Sequence, residues 1–240
     1  GWGTANYCAM FPRNYIELLG VVDPGADSAG LADDLAARGE GAVRVALATD
    51  DASRTGELLA AAGFEPGALR DLGRALELPE GPVELRFRLV MLPARATAGL
   101  PMFLCEHRTP EHLRQPSWLR HPNGAASLAA ATVVVDDPLA TMPLYERLFG
   151  PGSTTSTDDT VAAHAGACAL IFATTTDLEM LHPEVDFGAP KPLPHIAALR
   201  FAVADPPRTA RYLADAGVRF TRGREGAVRV APALAHGVLL

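Results

Sequence analysis

The chain repeats one pattern three times: a short apolar strand, one or two aspartates, and a helix of about three turns that ends near a glycine. The copies cover residues 43–64, 132–150 and 199–218. The last aspartate and the glycine are 12 residues apart in the first and third copies and 13 apart in the second. Self-similarity at a fixed spacing is the signature of a repeat architecture, so the repeat constrains the fold more than local propensity does.

The local sequence of each copy explains its predicted helix and strands. An aspartate that precedes a helix accepts hydrogen bonds from the unpaired amides of the first turn and lies at the positive end of the helix dipole. Stretches rich in Val, Leu, Phe and Ala follow each helix, broken by Gly and Pro, and indicate two or three further strands. The exposed apolar sheet face of such a unit needs a second unit to cover it. We predict an α+β fold in which βαβββ modules pair into curved mixed sheets around a cavity.

Four modules fit the length, two in each half of the chain. We place the first half at residues 1–118 and the second at 119–240, joined near Pro116 to Ala125. The sequence opens inside a strand-like segment and ends at Leu240 within an apolar one. We therefore expect the first module to lack its βα half and the last module to lack its final strand.

Composition excludes several classes of protein. Hydrophobic residues make up 48% and charged residues 20%, as in ordinary globular domains. No apolar run reaches the roughly 18 residues of a membrane span, and no signal pattern opens the chain, so we expect a cytoplasmic protein without a membrane partner. The net charge of −7 argues against a nucleic-acid partner. No Gly-x-Ser-x-Gly or dinucleotide motif is present, which argues against an acyl hydrolase or a nicotinamide enzyme.

The three cysteines are Cys8, Cys105 and Cys168. Their odd number, wide spacing and apolar strand context indicate reduced core thiols and not a disulfide framework.

Two stretches of the first half carry a family resemblance. They are Gly3–Asn6 with Tyr15–Gly20, and Cys105–Glu111 with Trp118 and His121–Gly124. Together with the repeat, they resemble the vicinal oxygen chelate superfamily and, within it, the bacterial glyoxalase-like domain proteins. The resemblance implies paired βαβββ modules with a pocket where two modules meet.

In the metalloenzymes of that superfamily, His and Glu side chains on the first and last strands of the modules hold a divalent metal. A mixed nitrogen and oxygen set suits Fe, Mn, Ni or Zn, and the metal polarises substrate oxygens as a Lewis acid. Glu17 and Glu106 match the last-strand positions of modules one and two, so the resemblance implies that they are ligands, one of them able to detach as a general base. The first-strand position of module two is Arg44, and the second half offers only Ala130 and Ala198 there.

Three interpretations of these residues stay open. A metal binds Glu17 and Glu106 with a histidine from outside this sequence, and with His107 as a further candidate, although strand alternation points His107 away from Glu106. Alternatively, Arg44 grips a carboxylate or phosphate of the ligand in a metal-free pocket. In the third interpretation, Arg44 forms an internal ion pair with Glu17 or Glu106.

The segment after Glu106 offers further candidates. His121 either reaches across the pocket mouth to the substrate or lies in a turn, with Trp118 packing the connection between the halves. Glu111 and His112 fit a helix start better than a ligand cluster, with Thr109 capping and Pro110 in the first turn.

We predict a glyoxalase-like enzyme, a metal-dependent lyase, isomerase or dioxygenase, that acts on a small oxygen-rich metabolite. Glu17 and Glu106 are its predicted catalytic and metal-binding residues, and Arg44, His107 and His121 are its predicted substrate-binding residues. The alternative is a metal-free protein of the same fold that binds or sequesters a small molecule. Edge strands of such modules pair between chains, so a homodimer is also expected.

Overall fold

A computed structural model describes residues 2–223 and 226–240; Gly1, where the strand-like opening begins, lies outside them. The strands are β1 (Thr4–Met10), β2 (Tyr15–Val21), β3 (Val45–Ala48), β4 (Arg70–Leu78), β5 (Gly81–Met91), β6 (Met102–His107), β7 (Ala125–Val134), β8 (Thr154–Thr157), β9 (Thr160–Ala165), β10 (Cys168–Ala173), β11 (His195–Val203), β12 (Thr221–Arg222) and β13 (Val228–Arg229). The helices are α1 (Leu31–Arg38), α2 (Ala52–Ala61), α3 (Pro110–Leu113), α4 (Met142–Phe149), α5 (Thr175–Leu181) and α6 (Pro206–Asp215). None of the helices in this described part of the chain combines the length and apolar character needed to span a membrane.

The predicted repeat is visible in the strand order of the two large sheets. In the first sheet the order is β3-β6-β5-β4, and in the second β7-β10-β9-β8, with β11 added beside β7. In both, the first and last strands of the module pair parallel and the other pairs are antiparallel. These βαβββ modules confirm the predicted α+β fold.

The two remaining sheets have only two strands each among the described residues. β1 and β2 form a separate antiparallel hairpin, and β12 and β13 form another. β11 and α6 supply the βα part of the last module. The division of the chain at residues 118 and 119 stays a prediction.

The main hydrophobic core lies between the two large sheets and includes residues of α2 and α4. Tyr145 of α4 is fully buried, its ring 4.6 Å from the ring of Phe172 on β10, and its hydroxyl donates to the Thr97 carbonyl at 3.1 Å. Val90 of β5 and Val133 of β7 belong to the same cluster. Each large sheet therefore has one face turned to this shared helical layer and one face turned away from it.

The hairpin β1–β2 covers part of the outward face of the first sheet. Its Met10 and Tyr15 pack against Leu85 and Phe87 of β5 in a second apolar cluster. At the other end of β1, Arg74 of β4 donates to the carbonyl and hydroxyl oxygens of Thr4 at 3.2 and 3.1 Å. The residues of this outward face thus lie between the sheet and the hairpin.

Aspartates begin two of the three repeated helices as predicted. The Asp51 carboxylate accepts from the Arg54 amide at 2.9 Å, and Asp205 accepts from the Arg208 amide at 3.0 Å. In the second copy Asp137 accepts from the Ala140 amide at 3.1 Å. There the chain first makes a 3-10 turn over 139–141 before α4 begins, which lengthens this copy.

Two sequence predictions need correction. All three cysteines are free, but Cys8 is solvent-exposed and not a core thiol; it lies within β1, opposite the exposed Glu17. Thr109 precedes α3 without capping it, since its hydroxyl accepts instead from the Arg86 amide on β5 at 3.0 Å. The helix start itself is as predicted, with Pro110 in the first turn.

Replacing Asp51 with alanine should lower the free energy of unfolding by about 1 kcal/mol, because the first turn of α2 loses its side-chain acceptor. Asp50→Ala is the matched control, since the Asp50 carboxylate is exposed and accepts no hydrogen bond from α2. Urea denaturation of both variants measures the difference. An equal loss in the two would show that charge near the helix, and not the cap, is responsible.

Candidate functional site

β6 presents opposite chemistry on its two faces. Glu106 lies on the same face of β6 as Met102 and Leu104, which belong to the main core between the sheets. His107 lies on the other face of β6, together with Cys105, and packs against the Phe87 ring with ring centroids 5.3 Å apart. Because successive side chains of a strand point to opposite faces, Glu106 faces the helical layer and His107 faces the hairpin.

Both carboxylate oxygens of Glu106 already have partners. Its Oε2 accepts from the Ala52 amide at the start of α2 at 2.9 Å, and its Oε1 accepts from the Arg108 guanidinium at 2.6 Å. Only 4% of the Glu106 surface is exposed. Burial alone would raise the pKa of the Glu106 carboxyl, but the Ala52 amide and the Arg108 charge outweigh it and hold the pKa below its usual value.

The side chains through which the hairpin packs on the first sheet are here called the hairpin cleft. Its residues are Asn6, Cys8, Tyr15 and Glu17 of the hairpin and Arg74, Phe87, Cys105 and His107 of the sheet. Midway along the hairpin, Cys8 and Glu17 are exposed and pair across it. At its closed end, Tyr15 packs with Met10 and Leu113.

Tyr15 and His107 meet at the closed end. The Tyr15 hydroxyl and His107 Nε2 are 3.4 Å apart, and the two rings pack edge to face with centroids 5.9 Å apart. Burial raises the pKa of Tyr15 well above its usual range, and burial followed by the Arg114 charge lowers the pKa of His107. Both groups are therefore neutral at pH 7, and each can donate or accept a hydrogen bond.

Arg114 adds a positive charge to this end of the cleft. It directly follows α3, and its charge lowers the pKa of His107 and opposes the rise in the pKa of Tyr15. Its Nε atom is buried and has no hydrogen-bond partner among the described residues. Our sequence reasoning missed both Arg114 and Tyr15. The signal for Tyr15 was its strand spacing of two from Glu17, which places both on one face.

The structure separates the two predicted carboxylates. Glu17 lies in the hairpin cleft, where Asn6 Nδ2 donates to its Oε1 at 2.6 Å. Glu106 lies on the other side of the sheet, bound to α2. The role of each as a catalytic residue and metal ligand stays a prediction, but in this arrangement they do not converge on one ion.

Arg44 has an acidic partner that the sequence did not predict. Its Nε and Nη2 donate to Oδ2 of Asp34 on α1 at 3.0 and 2.7 Å. The predicted pairing of Arg44 with Glu17 or Glu106 is therefore wrong, because α1 brings Asp34 to the start of β3. Both side chains are about one-fifth exposed, at 21% and 22%.

His121 lies at the connection between the halves. Its Nε2 is 2.7 Å from the Met10 carbonyl, to which it donates, and its ring lies 4.8 Å from the Phe11 ring. Trp118 packs beside the same hairpin cluster, as predicted. His121 thus links the connection between the halves to the hairpin by a hydrogen bond. Its contact with a substrate stays a prediction.

The side chains present do not fit the predicted divalent metal. Among residues 2–223 and 226–240, no three His, Cys, Asp or Glu side chains lie close enough together to hold an ion. Near His107, burial raises the pKa of the Cys105 thiol to about 12, so it is a neutral thiol and not a thiolate ligand. The hairpin cleft is equipped for hydrogen bonding and apolar contact.

A surface cleft of about 380 Å³ lies at the β4–β5 edge of the first sheet. Its charged lining residues are Asp71, Glu84, Arg86, Arg88 and Arg108. The arginines there are already paired, Arg86 with Glu84 and Arg88 with Asp71. None of the residues predicted from the sequence lines this cleft.

Comparisons with known proteins agree with the fold. A family model described as Glyoxalase-like domain matches residues 1–149. A second, described as Glyoxalase/Bleomycin resistance protein/Dioxygenase superfamily, matches residues 127–229. A search of curated protein sequences gives no match.

Solved structures resemble most of the chain at low identity. A hypothetical protein from Staphylococcus aureus is 13% identical with a TM-score of 0.63, and the match covers 85% of this chain and 79% of that one. A mutant 4-hydroxymandelate synthase from Streptomyces coelicolor is 15% identical with a TM-score of 0.55, covering 92% of this chain and 65% of that one. At these identities the likeness shows the fold alone.

Replacing Glu106 with glutamine should lower the free energy of unfolding by about 1–3 kcal/mol, because a buried charge-assisted pair at the start of α2 is weakened. Glu17→Gln should change it by less than about 0.5 kcal/mol, since Glu17 is exposed. Urea denaturation of the two variants makes the comparison. A larger loss in Glu17→Gln than in Glu106→Gln would contradict the buried, hydrogen-bonded position of Glu106.

The imidazole of His107 should titrate below its ordinary pKa of 6.5, and Arg114→Gln should raise its midpoint without restoring it fully, because burial remains. Proton NMR of the ring signals measures both midpoints. The unfolded chain binds the proton more readily than the folded one, so the His107 contribution to stability is present above pH 6.5 and is lost as the pH falls through the folded pKa. An unchanged midpoint in Arg114→Gln would place Arg114 away from the ring.

Proposed function

Because the chain belongs to the glyoxalase-like domain family, we propose that it binds a small molecule in the hairpin cleft without a metal ion held by Glu17 and Glu106. Matches to the Glyoxalase/Bleomycin resistance protein/Dioxygenase superfamily in its second half agree with this membership. Of the two functions expected from the sequence, this is the metal-free alternative.

The observation that carries the proposal is the direction of Glu106. Its two oxygens are bound to the Ala52 amide and the Arg108 guanidinium on the side of the sheet that faces α2. To serve as a ligand beside Glu17, it would have to abandon both partners and cross the plane of the sheet. Leaving the Ala52 amide buried without an acceptor would cost about 1–3 kcal/mol by itself.

The chemistry of the cleft supports a ligand with an apolar body and a few polar atoms. Phe87 and the Tyr15 ring form apolar walls at the closed end. The Tyr15 hydroxyl and the His107 ring offer neutral hydrogen-bonding groups there, and Glu17 offers an exposed carboxylate two residues further along β2. Small-molecule sites of this kind combine apolar walls with a few placed polar groups.

The metal-dependent lyase, isomerase or dioxygenase expected from the sequence is the competing function. It requires Glu17 and Glu106 on one ion, together with a nitrogen ligand, and the separation of the two carboxylates favours the binding function over it. A homodimer and a cytoplasmic location both stay predictions.

A neutral aromatic probe tests the proposal. Fluorine NMR of para-fluorobenzyl alcohol should show binding to the full chain that is unchanged by EDTA. Tyr15→Phe should weaken it about fivefold, because one hydrogen bond is worth about 1 kcal/mol.

Tyr7→Phe is the matched control, because Tyr7 lies on the outer face of the same hairpin and is 83% exposed. It should bind the probe like the unmodified protein. Binding that disappears in EDTA, or an equal effect of the two tyrosine variants, would contradict the proposal.

A further inference from the structure

The surface cleft at the β4–β5 edge, here called the edge cleft, gathers three arginines on one face of the first sheet. Arg86 and Arg88 alternate along β5 with the side chains that pack on the hairpin, so they lie on the same face as Val90 of the main core. Arg108 comes directly after β6, and its amide donates to the Arg86 carbonyl at 2.8 Å. All three arginines line the edge cleft. They therefore lie on the opposite face of the sheet from the hairpin cleft.

The ion pairs of these arginines leave several donors unused. Arg88 donates to Asp71 through Nε, at 3.0 Å, and Arg108 donates to Glu106 through Nη1, at 2.6 Å. Within the described part of the chain, the two terminal nitrogens of Arg88 and the Nε and Nη2 atoms of Arg108 donate no hydrogen bond. A guanidinium carries five N–H donors. Each of these two arginines can therefore bind a further acceptor without leaving its carboxylate.

The acidic partners compensate the arginines only in part. Asp71 and Glu84 line the edge cleft and are exposed, and exposed ion pairs hold their partners weakly. Glu106 is buried and shares its charge between Arg108 and the Ala52 amide of α2. The lining side chains thus carry three positive and two negative charges, in a chain whose net charge is −7. This local excess of positive charge favours an anionic ligand.

The two acidic side chains of the edge cleft restrict what else the ligand carries. Carboxylates accept hydrogen bonds from hydroxyl groups and repel further negative charge. Glu84 keeps its place beside Arg86 because its neighbour Gly73 has no side chain, since a Cβ atom at Gly73 would lie 2.9 Å from Glu84 Oε1. The volume of about 380 Å³ is near the lower limit of small-molecule sites. The cleft therefore suits a small ligand with one anionic group and several hydroxyl groups.

We propose that the edge cleft binds a small phosphate ester that carries hydroxyl groups. Arg88 and Arg108 donate to the phosphate oxygens, and Asp71 and Glu84 accept from the hydroxyl groups. A phosphate offers more charge and more acceptor oxygens than a carboxylate does, which suits a cleft with several unused guanidinium donors. This inference goes beyond the proposed function, because it concerns a second site whose arginines lie on the other face of the sheet.

Phosphorus NMR titrations of the full chain with glycerol 3-phosphate and with inorganic phosphate test the inference. Glycerol 3-phosphate should bind at least fivefold tighter, because its hydroxyl groups add hydrogen bonds that inorganic phosphate does not make. Arg88→Gln should weaken glycerol 3-phosphate binding about tenfold or more, since a charged donor is lost. Arg88 is the arginine to replace because its partner Asp71 is exposed, whereas Arg108 supports the buried Glu106.

Arg95→Gln is the matched control. Arg95 is exposed and pairs with Glu65, as the cleft arginines pair with their carboxylates, but it does not line the edge cleft. Its replacement should leave glycerol 3-phosphate binding unchanged. Para-fluorobenzyl alcohol should bind equally well to the unmodified protein, Arg88→Gln and Arg95→Gln, so that failure of this inference and failure of the proposed function are distinguishable.

Glu84→Gln separates a phosphate ester from free phosphate as the ligand. This variant removes a negative charge from the edge cleft and weakens an acceptor for hydroxyl groups. Its affinity for inorganic phosphate should therefore rise, while the advantage of glycerol 3-phosphate over inorganic phosphate should shrink.

Three results would overturn the inference. The first is that glycerol 3-phosphate does not bind. The second is that Arg88→Gln and Arg95→Gln weaken its binding equally, which would mean that the phosphate is attracted by general surface charge. The third is that inorganic phosphate binds as tightly as glycerol 3-phosphate and that Glu84→Gln leaves their ratio unchanged, which would make the ligand free phosphate and not an ester.

Discussion

The arrangement of the rest of the structure depends on the apolar layer that α2 and α4 form between the two large sheets. Tyr145 and Phe172 lie at its centre and are fully buried. Because this layer covers one face of each sheet, the hairpin packs on the opposite face of the first sheet. On β6, Glu106 lies on the core side and His107 on the outward side, because successive side chains of a strand point to opposite faces.

Glu106 then becomes part of the framework that holds the cleft. By accepting from the Ala52 amide it fixes the start of α2 against β6, and Arg108 stabilises its charge from the sheet edge. A carboxylate with a lowered pKa in this position supports the helix dipole and the sheet together. Tyr15 and His107 lie on the opposite side of the sheet from this carboxylate.

The sequence predicted the fold well because its repeat and its helix caps are local. Asp51 and Asp205 cap their helices as expected, and the strand order of both large sheets follows the βαβββ module. The site was harder to predict for a physical reason. Spacing shows that Glu106 and His107 point opposite ways, but the packing of α2 decides which of them faces the core. The partner of Arg44 depended on where α1 packs, and Arg114 carried no local pattern that distinguishes it from other arginines.

The most direct test of a metal-free cleft is a Mn²⁺ titration of the full chain labelled with fluorotyrosine, with the Tyr15 signal assigned from Tyr15→Phe. A paramagnetic ion held by Glu17 near Tyr15 would broaden that fluorine signal at substoichiometric Mn²⁺, and EDTA would restore it. We predict that the Tyr15 signal changes no more than that of the outward-facing Tyr7. Selective, EDTA-reversible broadening of the Tyr15 signal, lost in both Glu17→Gln and Glu106→Gln, would contradict our account and support the metalloenzyme.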